Sequence, residues 1–167
     1  MNESLKGWLE AFVEAIIIVI VLYFVFFPVK VEGISMGNTL SDGDRVFVSR
    51  IMTVMNLYDR GDMVVFKHEA GGKNQKMVKR VIAIEGERVR IENGNVYINE
   101  ELLQEDYVTG KTEGTIDIVV GENRIFVMGD NREGSIDSRE FGAIDEGEVS
   151  GKVMMKLYPF DKMVIYR

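Results

Sequence analysis

Thirteen consecutive apolar residues, AIIIVIVLYFVFF from Ala15 to Phe27, lie near the start of this chain, and Ala11-Phe12-Val13 extend the run beyond Glu14. Counted from Trp8 to Pro28 the segment holds twenty-one residues, enough to cross ~30 Å of hydrocarbon at ~1.5 Å per residue. Whatever follows must then fold beside one end of a membrane span. Glu10 and Glu14 are the weak point, because a carboxylate near the end of a span must snorkel, pair or protonate. A buried core helix is one alternative, and a removable secretory signal is another. The run ends in Phe26-Phe27-Pro28-Val29 with no small-x-small cleavage site, which favours an anchor that is kept. Lys6 and Lys30 flank the two ends almost evenly, so charge gives no orientation.

Past the anchor the pattern is that of a β protein. Short stretches rich in Val, Ile, Phe and Tyr recur at 45–48, 63–66, 77–84, 88–91, 96–98, 116–120, 124–128 and 152–157, each bounded by turn residues. Asn93-Gly94 separates two of them and signals a two-residue hairpin, since both positions tolerate positive φ. Gly121-Glu122-Asn123 predicts another turn. No helix-period stretch of any length, internal repeat or interdomain linker appears after residue 40. The expected fold class is mostly β: a single antiparallel β-rich domain over 31–167, tied to the bilayer by a transmembrane helix within 1–30.

Gly33-Ile34-Ser35-Met36-Gly37-Asn38-Thr39-Leu40 follows the apolar run directly. A serine in such a turn can be a nucleophile, and here it would stand at the bilayer surface. Composition limits its base. With no cysteine and one histidine, thiolate catalysis, disulfides and multi-histidine metal sites are excluded. His68 falls in a polar, glycine-bearing stretch that reads as loop, a poor place to fix a base. A lysine or carboxylate is left. Removing residues 1–28 leaves 19 basic and 24 acidic residues, a net charge of −5, which argues against nucleic acid as a partner.

One lysine has a suitable setting. If 75–86 is a strand, side chains alternate faces and Lys79 shares its face with Met77, Val81 and Ala83. Apolar neighbours disfavour the ammonium and lower the pKa, which makes lysine a usable base. An edge-strand lysine that snorkels to water is the plainer alternative. A second dense segment, 126–142, packs two glycines, two aspartates, two arginines and two serines between Met128 and Phe141. It fits either a solvated loop or a network that holds a base, and spacing alone does not choose.

Together these segments resemble the bacterial type I signal peptidases, membrane-anchored serine proteases with a Ser-Lys dyad. That family's Gly-x-Ser-Met-x-Pro-Thr-Leu box is matched by 33–40, except that Asn38 replaces the proline. Its Arg-Gly-Asp-hydrophobic box is matched by Arg60-Gly61-Asp62-Met63-Val64-Val65-Phe66 and its Lys-Arg-Val-Ile box by Lys79-Arg80-Val81-Ile82. Its acidic box is matched by Gly129-Asp130-Asn131-Arg132, Ser135, Asp137-Ser138-Arg139 and Gly142. The order agrees over essentially the whole chain. Ala83, Glu85 and Glu87 depart from the family's usual Gly, Pro and Asp downstream of the lysine.

The resemblance implies Ser35 as nucleophile, with its own N–H in the oxyanion site beside Met36, and neutral Lys79 as general base. Gly33 stands where some members carry a serine that donates a second oxyanion hydrogen bond. Ser135 would hydrogen-bond Lys79, while Asp130 with Arg80, and Asp137 with Arg139, would be supporting ion pairs. No metal or cofactor is implied. Substrates would be secretory preproteins cut after a small-x-small site by a monomeric, single-pass membrane enzyme with its catalytic domain outside the cytoplasm. The apolar stretch from Ile51 to Tyr58 is expected either to dip into the lipid interface or to be ordinary core. A catalytically inactive anchored β-domain and a Ser-Lys self-cleaving regulator are the rival readings. The regulator would carry a DNA-binding head where this chain has its apolar run.

Overall fold

The computed structural model describes residues 3–37, 39–55, 58–70 and 73–166. Asn38 of the serine box, and Asn56 and Leu57 of the apolar stretch, lie outside them.

Helix α1 spans Glu3–Val25 and is followed without a break by strand β1, Phe26–Lys30. The rest runs β2 (Arg45–Ser49), α2 (Ile51–Val54), β3 (Met63–Ala70), β4 (Lys73–Ala83), β5 (Arg88–Glu92), β6 (Asn95–Ile98), β7 (Glu101–Leu102), β8 (Ile116–Val119) and β9 (Arg124–Met128). It ends with α3 (Ser138–Phe141), β10 (Ile144–Asp145), β11 (Val149–Tyr158) and β12 (Val164–Ile165). The domain is mostly antiparallel β. Its larger sheet has the order β1-β2-β11-β3-β4-β9-β10, with β12 added beside β11, and its smaller sheet has the order β7-β6-β5-β8.

Strand composition explains the layering. In β9, Ile125 and Val127 join one core with Val64, Phe66 and Val81, while Phe126 and Met128 join another with Ile82, Val89, Ile91, Val96 and Ile98. The central strands thus bury both faces, so their apolar residues run on without polar alternation. The second core binds the small sheet to the large one. A third core lies under the serine box, where Met36 and Leu40 pack on Val31, Val46, Val48, Met63, Val65 and Val153. Asn93 (φ 53°) and Gly94 (φ 82°) make the β5–β6 hairpin turn, as the Asn-Gly pair predicts.

Three expectations need correction. The apolar run is not helical to its end: Phe26-Phe27-Pro28 lie in β1, paired with β2 in the register Phe26↔Ser49 to Lys30↔Arg45. Pro28 is tolerated there because β1 is an edge strand and needs no N–H on its outer side. His68 is in strand β3 opposite Gln75, not in a loop, and its ring lies 4.2 Å from that of Phe141. Short helices occur beyond residue 40, α2 and α3 at four residues each, too short to leave a 3.6-residue periodicity in the sequence. Among the described residues no helix is long and apolar enough to cross a membrane. In α1, Lys6, Glu10 and Glu14 recur at four-residue spacing and so share one face. Lys6 and Glu10 approach to 3.9 Å. Elsewhere on the helix large apolar groups are exposed, from Trp8 to Tyr23.

Candidate active site

The serine box is a tight turn held at its base by the core. Gly37 N–H bonds Ile34 C=O (3.0 Å), and Thr39 N–H bonds Met36 C=O (3.1 Å). Met36 is 1 % exposed; its side chain supports the turn by packing and forms part of the cleft wall next to Ser35. Gly33 and Gly37 have φ of +92° and +53°, conformations that L side chains rarely adopt. The Gly33 N–H is engaged by Asp42 Oδ1 at 2.9 Å, and a side chain added at Gly33 would meet open space. Ser35 faces a cleft of roughly 580 Å³, bounded by 29–32 on one side and 75–78 on the other.

Lys79 lies on β4 opposite Val64 of β3 and is 3 % exposed. Burial lowers its pKa from 10.5 to about 8; the Asp137 charge pulls it back up, Arg139 pushes it down and Asp130 pulls it up. This lysine is not the snorkelling edge residue of the plainer alternative. Near neutral pH it holds a neutral fraction large enough to accept a proton.

The segment after β9 is a network. Asp130 is wholly buried and accepts two bonds from Arg80, at 2.8 Å from Nε and 2.6 Å from Nη2, plus one from Thr39 Oγ1 at 2.6 Å. Arg80 also donates to Gly61 C=O (2.6 Å), which ties the Arg-Gly-Asp turn to the site. Burial disfavours the Arg80 cation, but its bond with Asp130 outweighs that and raises its pKa. Asp137 caps the N-terminus of α3. It accepts from Ser135 Oγ (2.8 Å), Gly129 N–H (3.0 Å) and Arg139 at Nε (2.8 Å) and Nη2 (2.9 Å). Burial pushes the Asp137 carboxyl up, yet those bonds hold it below the usual carboxylate range. The Ser135 hydroxyl donates to Asp137. An ionised carboxylate is a strong acceptor for that proton, and the Ser135 oxygen keeps lone pairs with which to accept from Lys79.

Gly129 joins the halves of the site. A Cβ there would sit 2.3 Å from Ser135 Oγ and 2.4 Å from the Ser35 carbonyl oxygen. Asn131 N–H donates to that same carbonyl at 3.1 Å.

These boxes identify the family. A family model described as signal peptidase, peptidase S26, matches residues 5–158. The chain belongs to the signal peptidase family. It is 35 % identical to a signal peptidase I of Bacillus licheniformis, across 97 % of this chain and 93 % of that one. It is 34 % identical to signal peptidase IB of Staphylococcus aureus, across 97 % and 94 %. A crystal structure of a signal peptidase I from Enterococcus faecalis matches with a TM-score of 0.49 and 30 % identity, over 56 % of this chain and 94 % of that chain. Membership makes the protein a serine peptidase, a hydrolase that removes signal peptides.

The sequence did not reveal the strap between β7 and β8. Its Thr109 N–H bonds Asp130 C=O (2.8 Å) and its carbonyl accepts from Arg132 N–H (2.9 Å), while a Cβ at Gly37 would meet Thr109 Oγ1 at 2.7 Å. Tyr107 places its ring 3.9 Å from the Arg80 guanidinium. Arg132, 2 % exposed, pairs with Glu105 and donates to Thr112 Oγ1 at 2.8 Å. Nothing local marks these strap residues, because their partners lie twenty or more positions away along the chain.

Proposed function

We propose that this signal peptidase works by Ser-Lys catalysis, with Ser35 as nucleophile and Lys79 as the general base. The observation that carries the reading is the Lys79 amine, buried to 3 % exposure beside a loop whose next glycine abuts the Ser35 backbone. Neutral Lys79 takes the Ser35 hydroxyl proton as Oγ attacks the scissile carbonyl. The tetrahedral oxyanion is met by the Ser35 N–H. The C–N bond breaks, Lys79 returns the proton to the leaving amine, and the mature protein departs. Lys79 then takes a proton from water, whose oxygen attacks the acyl-enzyme; the ester bond to Ser35 Oγ breaks, Lys79 returns the proton to that oxygen, and the signal peptide leaves as a carboxylate. Asp130 with Arg80, and Asp137 with Arg139, fix the loop and carry no protons. Gly33 supplies no oxyanion donor, since its N–H is spent on Asp42; losing such a donor costs roughly 3–4 kcal/mol, so water or a substrate amide takes that place.

The substrates are preproteins cut after small residues at the first and third positions before the scissile bond. Segments 29–32 and 75–78 would flank the bound peptide. We assign α1 as the retained membrane anchor of a monomer whose catalytic domain lies outside the cytoplasm. Its apolar half, Ala15 to Val25, with Phe26 and Phe27 of β1, would enter the lipid, and the half bearing Lys6, Glu10 and Glu14 would lie toward water. Exposed Ile51 and Met55, around α2, would touch the lipid interface. Replacing Met52, Met55 and Leu57 with Ser should weaken liposome binding, and unchanged binding would remove that contact. The decisive experiment incubates detergent-solubilised enzyme with a preprotein bearing an Ala-x-Ala site. Ser35→Ala, Lys79→Ala and Lys79→Arg should each abolish cleavage, the last because guanidinium keeps its proton. Full activity in the Lys79 variants overturns the dyad.

A further inference from the structure

A second buried lysine lies at the C-terminal end of the serine box. Lys156 of β11 is 7 % exposed and pairs with Asp44, 5 % exposed, at 3.3 Å. Its Nζ also donates to the Thr39 carbonyl at 3.3 Å. Tyr166, just past β12, donates its hydroxyl to that same carbonyl oxygen at 3.3 Å, and its N–H bonds Met154 C=O at 2.8 Å. Asp44 in turn accepts from Ser41 N–H at 2.9 Å. Thr39 is therefore gripped at two points, its carbonyl by Lys156 and Tyr166 and its hydroxyl by Asp130 at 2.6 Å.

From this geometry we infer that Lys156 and Tyr166, with Asp44, form a clamp on the Thr39 carbonyl that fixes the aim of Ser35. The inference rests on the Ser-Lys reading and adds to it the residues that position the nucleophile. The turn between Ser35 and Leu40 is closed by a few backbone bonds, and the glycine at 37 lends it freedom. The Thr39 carbonyl lies at the end of that turn, outside any helix or strand, and takes a cation and a phenol as its donors. Lys156 supplies that cation and Tyr166 the second donor. Burial, with the Asp44 charge adding to it, raises the Tyr166 pKa, so the phenol keeps its proton and continues to donate. Through Thr39 the clamp reaches Asp130 and Arg80, next in sequence to Lys79, so nucleophile and base share one scaffold.

Lys156 and Tyr166 are positioning residues, so the test separates kcat from KM. Full-chain enzyme in detergent micelles is given a preprotein with an Ala-x-Ala site. Lys156→Met should lower kcat roughly tenfold to a hundredfold, and Tyr166→Phe roughly threefold, with KM within about twofold of the parent, since a misaimed nucleophile costs rate at the chemical step. Lys156→Met leaves Asp44 buried and unpaired and can compromise folding. The Lys156→Met/Asp44→Asn variant, which neutralises both partners, is therefore measured beside it and should show the same kcat loss with a cooperative melt. Lys156→Arg, which keeps a cation at the Thr39 carbonyl and beside Asp44, should retain kcat within about threefold of the parent, a retention that general loosening of the core would not show. An unchanged kcat in Lys156→Met, a loss confined to KM, or a Lys156→Arg loss as large as that of Lys156→Met overturns the clamp. Ser35→Ala runs alongside: if it cleaves, the Ser-Lys reading itself falls. If it is inactive while the clamp variants keep full kcat, only the clamp falls.

Discussion

Lys79→Met should make this protein more stable while abolishing its activity. The folded-state pKa of Lys79 is about 8, against an ordinary value of 10.5, because burial disfavours the ammonium. At ~1.4 kcal/mol per pH unit, keeping that charge in the fold costs about 3 kcal/mol. The sign follows from proton binding. Below pH 8 the lysine is charged both folded and unfolded, so the whole cost is present. Between 8 and 10.5 the unfolded chain holds a proton that the folded one has released, so stability rises with pH; above 10.5 the cost is gone. Methionine has nearly the same reach without the charge, so the variant should gain about 3 kcal/mol near pH 7. For a chain of this size that is roughly 6–12 °C in Tm. Paired thermal melts of detergent-solubilised parent and variant from pH 6 to 10, followed by near-ultraviolet circular dichroism, measure the gap. Other titrating groups are common to both chains and cancel. The gap should be widest at pH 6–7 and close toward pH 10. A variant that melts below its parent at pH 7, or a gap that ignores pH, refutes the claim that Lys79 is an ammonium held in the fold at a cost.

The same pKa predicts the rate profile. kcat/KM on a preprotein should rise roughly tenfold from pH 7 to pH 9, with a limb near pH 8, as the neutral fraction of Lys79 grows; a flat profile across that range would exclude it as the base. Gly129→Ala is permitted by the backbone but places a methyl carbon 2.3–2.5 Å from Ser135 and the Ser35 carbonyl. It should lower kcat by about a hundredfold at a stability cost of roughly 1–3 kcal/mol, read from single-turnover kinetics and denaturant melts. Asp130→Asn removes the charge that meets the Arg80 fork and should cost about 3–5 kcal/mol in denaturant unfolding; a loss under ~1 kcal/mol would mean that Arg80 finds another partner.

What could be read in advance was local chemistry. Alternation placed Lys79 on one face with Met77 and Val81, and Asn93-Gly94 set its hairpin, because both depend only on neighbours along the chain; Ala83, expected on that same face, packs in the other core beyond a register shift after Val81. Phe26-Phe27-Pro28 misled, since an apolar run reads alike as helix and as buried strand, and only pairing with β2 separates the two. His68 misled for a related reason: polar and glycine neighbours hid a strand whose other half is β4. Tyr107, Thr109, Lys156 and Tyr166 could not be found at all. Each acts on a residue between about twenty and more than a hundred positions away, and no spacing rule carries information over such separations.

The charges around Lys79 look at first like too many for a base that must stay partly neutral. Two carboxylates, Asp130 and Asp137, lie near enough to raise its pKa. Acting alone they would keep it an ammonium at any working pH. Each, however, is met by its own guanidinium in a two-pronged contact, Asp130 by Arg80 and Asp137 by Arg139. A matched pair presents Lys79 with a dipole in place of a full charge, and the Arg139 field opposes that of Asp137 directly. Burial is then left as the largest influence, and it favours the free amine. The hydrogen bonds that satisfy Asp137 also keep its carboxyl below the usual range, so it does not compete for the proton that Lys79 takes. On this arrangement the two Asp–Arg pairs make it possible to surround a lysine with polar scaffolding without pinning its charge. It follows that Arg139→Gln should raise the Lys79 pKa and move the alkaline rise in kcat/KM to higher pH. A limb that stays in place or moves lower would show that the pairs do not balance the field.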